Sequence, residues 1–83
     1  MTVRLHPHAR DRLPERGADE NEVVLTVEQG ERFPAKHGRF GFRRNFPFNE
    51  TWRCKVYPTK QIEAYAVWED DGWLVITVLV EYF

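Results

Sequence analysis

The stretch that decides the fold is QIEAYAVWEDDGWLVITVLVEY, residues 61–82. Two segments rich in apolar and β-branched residues, Gln61 to Glu69 and Trp73 to Tyr82, flank Asp70-Asp71-Gly72. Asp-Gly between such segments predicts a tight hairpin, because a turn that matches the twist of its strands needs positive φ. Leu74, Ile76, Val78 and Val80 share one parity of the last segment, and Val75 and Leu79 take the other. Apolar residues on both parities predict a central strand covered on both faces.

The period of two extends back to about residue 31. Phe40, Phe42, Phe46 and Phe48 share a parity that predicts a core-facing row, while Arg39, Arg43 and Asn45 take the other. Arg44 interrupts the aromatic face, and Gly41 and Pro47 predict a bulge or an edge. Trp52, Cys54 and Val56 alternate with Arg53, Lys55 and Tyr57, which predicts a strand with a basic face and a buried Cys54 sulfur.

Before residue 31 the pattern is helical. After a short apolar start at Thr2 to Leu5, the spacing of Leu5, Ala9 and Leu13 gives a narrow buried stripe, and Pro7 suits the first turn. Pro14 has no N–H for the carbonyl four residues back, so this helix is expected to kink or end between Leu13 and Arg16, with Gly17 as its stop. Asp19 and Glu22 form a variant capping box for a second helix, Glu20 to Gln29, ended by Gly30, with Val23, Val24 and Val27 inward. Val-Val-Leu-Thr-Val within it also reads as a strand. The expected class is α+β: an N-terminal two-helix hairpin (6–30) packed on an antiparallel β-sheet of about four strands (31–83), in one domain covering 1–83.

Eighty-three residues, 42% of them apolar, suffice for one core and no second lobe. Cys54 is the sole cysteine, which excludes an internal disulfide and cysteine-rich zinc sites, and a reducing cytoplasm is the expected compartment. No secretory leader is expected, and Trp73 to Val80, broken by Thr77, falls far short of the roughly twenty residues that span a bilayer. No membrane partner is therefore expected.

The net charge of −1 conceals an asymmetry. Residues 31–60 carry eight Lys or Arg against Glu31 and Glu50, whereas residues 61–83 carry five carboxylates and no Lys or Arg. Such a basic block attracts a polyanion locally. The alternative is internal neutralisation, with the acidic tail paired against the basic strands.

On a helix, His8, Arg12 and Arg16 line up beside the apolar stripe. Cleavage of RNA through its own 2′-hydroxyl needs a group to take that proton, a donor for the leaving oxygen, and fixed cations. His8 suits the proton step, and Arg12, Arg43 and Lys55 the phosphate. His37, flanked by Lys36 and Arg39, is a candidate second proton-transfer group, the alternative being a loop histidine that is merely exposed. Arg16, Lys36, His37, Arg39, Arg53 and Tyr57 are expected to contact nucleic acid, cations holding the backbone and the aromatic ring stacking on a base. Each has a plain structural use too: ion pairs for Arg12 and Arg16, packing for His8, protection of sheet edges for the basic strands. His6, His8 and Asp11 make a weak metal-like set, and neither metal nor cofactor is expected.

His8-Ala-Arg-Asp-Arg-Leu-Pro-Glu-Arg-Gly17, the acidic helix ending Glu28-Gln-Gly-Glu31, the basic aromatic strand and the final Ile76-Thr-Val-Leu-Val80 together resemble a bacterial family known as domain of unknown function 4258. The resemblance spans nearly the whole chain, and Pro14 is a departure from it. That family is similar in architecture to the RelE-like endoribonuclease toxins, within the group that includes barnase and the colicin nucleases. The resemblance implies a two-helix layer on a twisted antiparallel sheet, RNA cleaved on or beside the sheet without metal, and an antitoxin as protein partner. The expected function is RNA binding with metal-independent endoribonuclease activity. The alternatives are a non-catalytic module that binds an acidic protein or a second copy of the chain, and an inactive relative that keeps the scaffold.

Overall fold

The computed structural model describes residues 2–83. Its elements are β1 (Thr2–Leu5), α1 (Pro7–Arg16), α2 (Glu20–Gln29), β2 (Glu31–Pro34), β3 (Phe40–Trp52), β4 (Lys55–Glu69) and β5 (Gly72–Tyr82). The strands form one five-stranded sheet in the order β1-β5-β4-β3-β2. The three pairings among β2 to β5 are antiparallel, and β1 runs parallel to β5.

This α+β architecture corrects the expected one in two respects. The helices do not begin the fold but follow β1, and the sheet is mixed, with five strands rather than about four. β1 is only four residues long, and Leu5 is its sole buried side chain. Too short to show a period of its own, it is held by pairing Thr2 to Leu5 against Gly72 to Val75.

Each helix is bounded by its own chemistry. His6 caps α1, its Nδ1 accepting from the His8 backbone N–H at 3.1 Å. The helix runs through Pro14 and stops at Gly17, whose φ of 75° is the left-handed conformation that glycine tolerates best. A Cβ there would lie 2.3 Å from the Tyr82 hydroxyl, so the close approach also demands glycine. Asp19 and Glu22 complete the capping box of α2 reciprocally, at 2.8 and 3.1 Å. The Val-Val-Leu-Thr-Val run is helical, with Val23, Thr26 and Val27 buried.

Both helices lie on one face of the sheet. Ala9, Leu13, Val23 and Val27 pack there on Phe42, Ile62, Ala64, Ala66, Trp73, Val75 and Val78. The expectation of a doubly covered β5 is thereby overturned. A bulge explains the misleading pattern: Tyr65 pairs with Thr77 and Ala66 with Val75, so Ile76 is the extra residue. The insertion flips the parity, and Trp73, Val75 and Val78 all reach the same core. Leu74 and Leu79 belong to the helix-free face.

The expected strand from Trp52 to Tyr57 is instead the tip of a hairpin. Trp52 pairs with Lys55, and between them Arg53 and Cys54 take φ of 50° and 68°. Two consecutive positive φ values match a tight hairpin turn, and they leave Cys54 exposed rather than buried. The second hairpin turns at Asp70 and Asp71, φ 52° and 57°, so Gly72 already belongs to β5. The aromatic row of β3 is divided: Phe42 is buried, Phe46 and Phe48 are half-buried, and Phe40 lies at the margin, edge-on to Trp73.

Candidate nucleic-acid interface

β1 covers only the first four residues of β5, and the rest of the outer edge of β5 runs beside α1. His8, Arg12 and Arg16 stand one turn apart on α1. Together with Ile76, Thr77 and Val78 they line a depression of about 220 Å³. Arg16 lies deepest and its Nη1 donates to the Val78 carbonyl. Pro14 does not carry Arg16 away from the other two, because the helix continues to its left-handed cap.

A second depression adjoins the first across Ile76 and Thr77, lined by His6, His8 and Arg39. A third, of about 340 Å³, lies beyond Thr77 and is lined by Lys36, His37, Arg39, Tyr65 and Thr77. The three share residues pairwise and so form one track over the β5 bulge, from the α1 seam to the helix-free face of the sheet. No Asp or Glu lines any of the three. Among the described residues, Arg12, Lys36 and Arg39 take part in none of the ion pairs. His8 is exposed, its ring edge-on to His6 at 5.7 Å.

The loop between β2 and β3 carries the far rim. The backbone N–H of Ala35 donates to the Arg39 carbonyl at 3.0 Å, and the Arg39 N–H to Lys36 at 3.2 Å. His37 and Gly38 turn the loop with φ of 62° and 71°. The loop is thus closed by its own backbone, which fixes where Lys36, His37 and Arg39 emerge.

The other residues expected at the site lie elsewhere. Arg43 is on the helix-free face, with Nε 3.1 Å from Glu63 and Nη1 3.5 Å from Glu31. The hydrogen bond to Glu63 raises its already high pKa, and the neighbouring carboxylates add to this. Arg53 sits on the distal hairpin, donates to the Glu15 carbonyl at 3.3 Å and lies over the Trp52 ring. With Arg16 it lines a further depression, which meets the first at Arg16 and also holds Glu15 and Glu81. Lys55 lies over the Tyr57 ring at 5.4 Å, and Tyr57 packs near Tyr82. Most of the basic block is engaged in this way: Arg44 donates to Gln29, Arg32 covers Phe40, and Lys60 is buried against Glu22 at 2.7 Å.

No family model, curated protein or solved structure matches the chain.

Three polar lining residues were not singled out for nucleic-acid contact by the sequence reading. Tyr65 and Thr77 are cross-strand partners at the bulge, and His6 is the helix cap. Thr77 left a trace, as the single break in the apolar run from Trp73 to Val80. Tyr65 donates to Glu63, and that bond, with burial, holds its phenol pKa above the usual value. Among the described residues no three His, Cys, Asp or Glu gather in a metal-like group, and no helix is long and apolar enough to cross a membrane.

Proposed function

We propose that the chain binds RNA along the track over Thr77, with Arg12, Arg16, Arg39 and Lys36 holding successive phosphates. One observation carries the proposal. In a chain of net charge −1, four Lys or Arg and three histidines line three connected depressions that no carboxylate enters. Cations left without counterions attract a polyanion, and arginine offers phosphate a paired set of donors. The resemblance to the 4258 family, and through it to the RelE-like toxins, implies the same substrate.

Cleavage is a second reading, supported by the placement of His8 and His37 in depressions that share Arg39 and Thr77. One imidazole would take the 2′-hydroxyl proton as the 2′-oxygen attacks phosphorus. The other would give its proton to the departing 5′-oxygen as the P–O5′ bond breaks, leaving a 2′,3′-cyclic phosphate. Arg12 would neutralise the charge that builds on the phosphoryl oxygens. Arg43 and Lys55 have no part in this reading.

Retention of a labelled RNA measured against salt tests it. Wild-type affinity is expected to fall steeply with salt, and Arg12→Glu and Arg39→Glu to weaken binding and flatten the slope by about one each. Lys55→Glu, on the distal hairpin, is expected to change little. If His8→Ala still binds but leaves the RNA whole while wild type cuts it, the cleavage reading stands. A salt-insensitive oligomer with no RNA retention would replace both readings with that of an interaction module.

A further inference from the structure

Tyr65 stands apart from the other polar groups of the track, which are cations, imidazoles and a hydroxyl, because it brings a phenol ring. We infer that Tyr65 is a stacking platform for an unpaired nucleobase, so that the RNA of the proposed function is single-stranded where it crosses the helix-free face of the sheet. The inference rests on that proposed function for the phosphate contacts and adds the part that recognises a base.

Three features of its surroundings support this role. The ring is half-buried, yet it lines the depression of about 340 Å³, a size at the low end of small-molecule sites. Its neighbours there are one imidazole, one hydroxyl and the cations of Lys36 and Arg39 at the rim, a mixture suited to a flat heterocycle with a phosphate at its margin.

The ring is also held in place before any ligand arrives. Its hydroxyl donates to Glu63, whose other oxygen accepts from Arg43 Nε at 3.1 Å. Arg43 lies over the Phe33 ring at 4.7 Å, and Phe33 meets Tyr65 at 6.1 Å with an interplanar angle of 86°. Phe33 reaches this position because Gly41 has no side chain: a Cβ there would stand 2.3 Å from the Phe33 ring. The network from Gly41 through Phe33, Arg43 and Glu63 therefore fixes the half-buried ring at the wall of the depression, and a base stacking on it orders little that is not already ordered.

The third feature is continuity. Arg39 and Thr77 line both this depression and the one with His6 and His8. A base on Tyr65 and a phosphate near His8 would then lie along one continuous strand. A paired base keeps its neighbours stacked in the duplex and has no free face to offer, so a duplex is excluded from this position.

The test uses the whole chain and three probes of one length: a labelled single-stranded RNA of mixed sequence, the same strand annealed to its complement, and a strand of the same backbone with its bases removed. Wild type is expected to bind the base-bearing single strand about tenfold more tightly than either of the others, the order of a single stacking contact. Tyr65→Leu is expected to reduce the base-bearing strand to the affinity of the abasic one, and Tyr65→Phe to keep the preference. Equal binding of base-bearing and abasic strands by wild type overturns the platform while leaving the phosphate track standing, a result that needs no variant. Retention of no strand overturns the track as well. A preference that survives in folded Tyr65→Leu places the base elsewhere and also overturns the inference.

Discussion

The Arg16 guanidinium donates to the backbone carbonyl of Val78 and so ties the last turn of α1 to the half of β5 that β1 leaves uncovered. The Tyr82 hydroxyl completes the tie by donating to the Arg16 carbonyl at 2.8 Å. An uncovered strand edge is a template for pairing with another chain, and a cation laid across it is a common defence. Arg16 thus has a structural duty as well as a place beside His8 and Arg12.

Arg16→Ala is therefore expected to lower stability by roughly 1.5–3 kcal/mol, the value of a hydrogen bond involving a charged group. It is also expected to increase self-association. Urea unfolding gives the first quantity, and sedimentation at rising protein concentration the second. Arg12→Ala, on the same face but not tied to the strand, is expected to leave both unchanged. If the two variants associate alike, the edge is protected by something other than Arg16.

Lys60 illustrates a basic residue whose work is internal. Its ammonium lies 3.0 Å from the Gly17 carbonyl and 2.7 Å from Glu22, with only 8% of the side chain exposed. It joins β4 to the turn between the helices and to the capping box of α2. Lys60→Ala is expected to cost roughly 3 kcal/mol, because a partly buried carboxylate loses its counterion. The double variant Lys60→Met/Glu22→Gln keeps the volume and the capping pattern while removing both charges, and is expected to lie within about 1 kcal/mol of wild type. Chemical denaturation of the single and double variants measures the difference.

The parts of this design that could be read from sequence are those encoded locally. Asp19 and Glu22 are three residues apart and announce their helix; Asp70-Asp71-Gly72 announces its hairpin; Gly17 announces a helix end. The misread parts depend on residues distant in sequence. β1 is four residues that exist as a strand only because β5 is there to pair with them. The bulge at Ile76 inverts the parity of β5, so a correct alternation on either side adds up to a false doubly covered strand. Arg43 looked available because Glu31 and Glu63 are twelve and twenty residues away. His8 and Arg12 share a depression because both stand one turn apart on one helix, whereas their neighbours Arg39 and Tyr65 come from a loop and a strand that no spacing rule connects to α1.

The phenol of Tyr65 gives the helix-free face a titration that can be followed. The hydrogen bond to Glu63, then burial, raises its pKa above the ordinary value of 10.0. A raised pKa means that folding favours the protonated phenol. This contribution to stability is complete below the unfolded-state value and is lost as pH rises through the folded-state value, in the alkaline range above about 10. Glu63→Gln is expected to bring the Tyr65 midpoint down toward 10 and to weaken the alkaline fall in stability. The ultraviolet absorbance of tyrosinate reports the first, with Tyr65→Phe identifying the Tyr65 step, and urea unfolding at neutral and alkaline pH reports the second. An unmoved Tyr65 midpoint in Glu63→Gln would show that burial alone sets it.

His6 offers a substitution in which stability and RNA binding move in opposite directions. Its Nδ1 caps α1 by accepting from the His8 N–H, and its ring lines the depression shared by His8 and Arg39. Aspartate is a preferred helix cap, and its charge is favourable at a helix N-terminus. His6→Asp is expected to stabilise the chain by about 0.5–1 kcal/mol. It also places a carboxylate in a track that has none, beside the groups proposed to hold phosphate. RNA affinity is therefore expected to fall severalfold, with a shallower salt dependence, while the urea midpoint rises. His6→Asn keeps a capping side chain without the charge and is expected to retain both stability and affinity. A His6→Asp protein that is more stable and binds RNA as wild type does would remove this end of the track from the interface, leaving Arg12 and Arg16 to be tested alone.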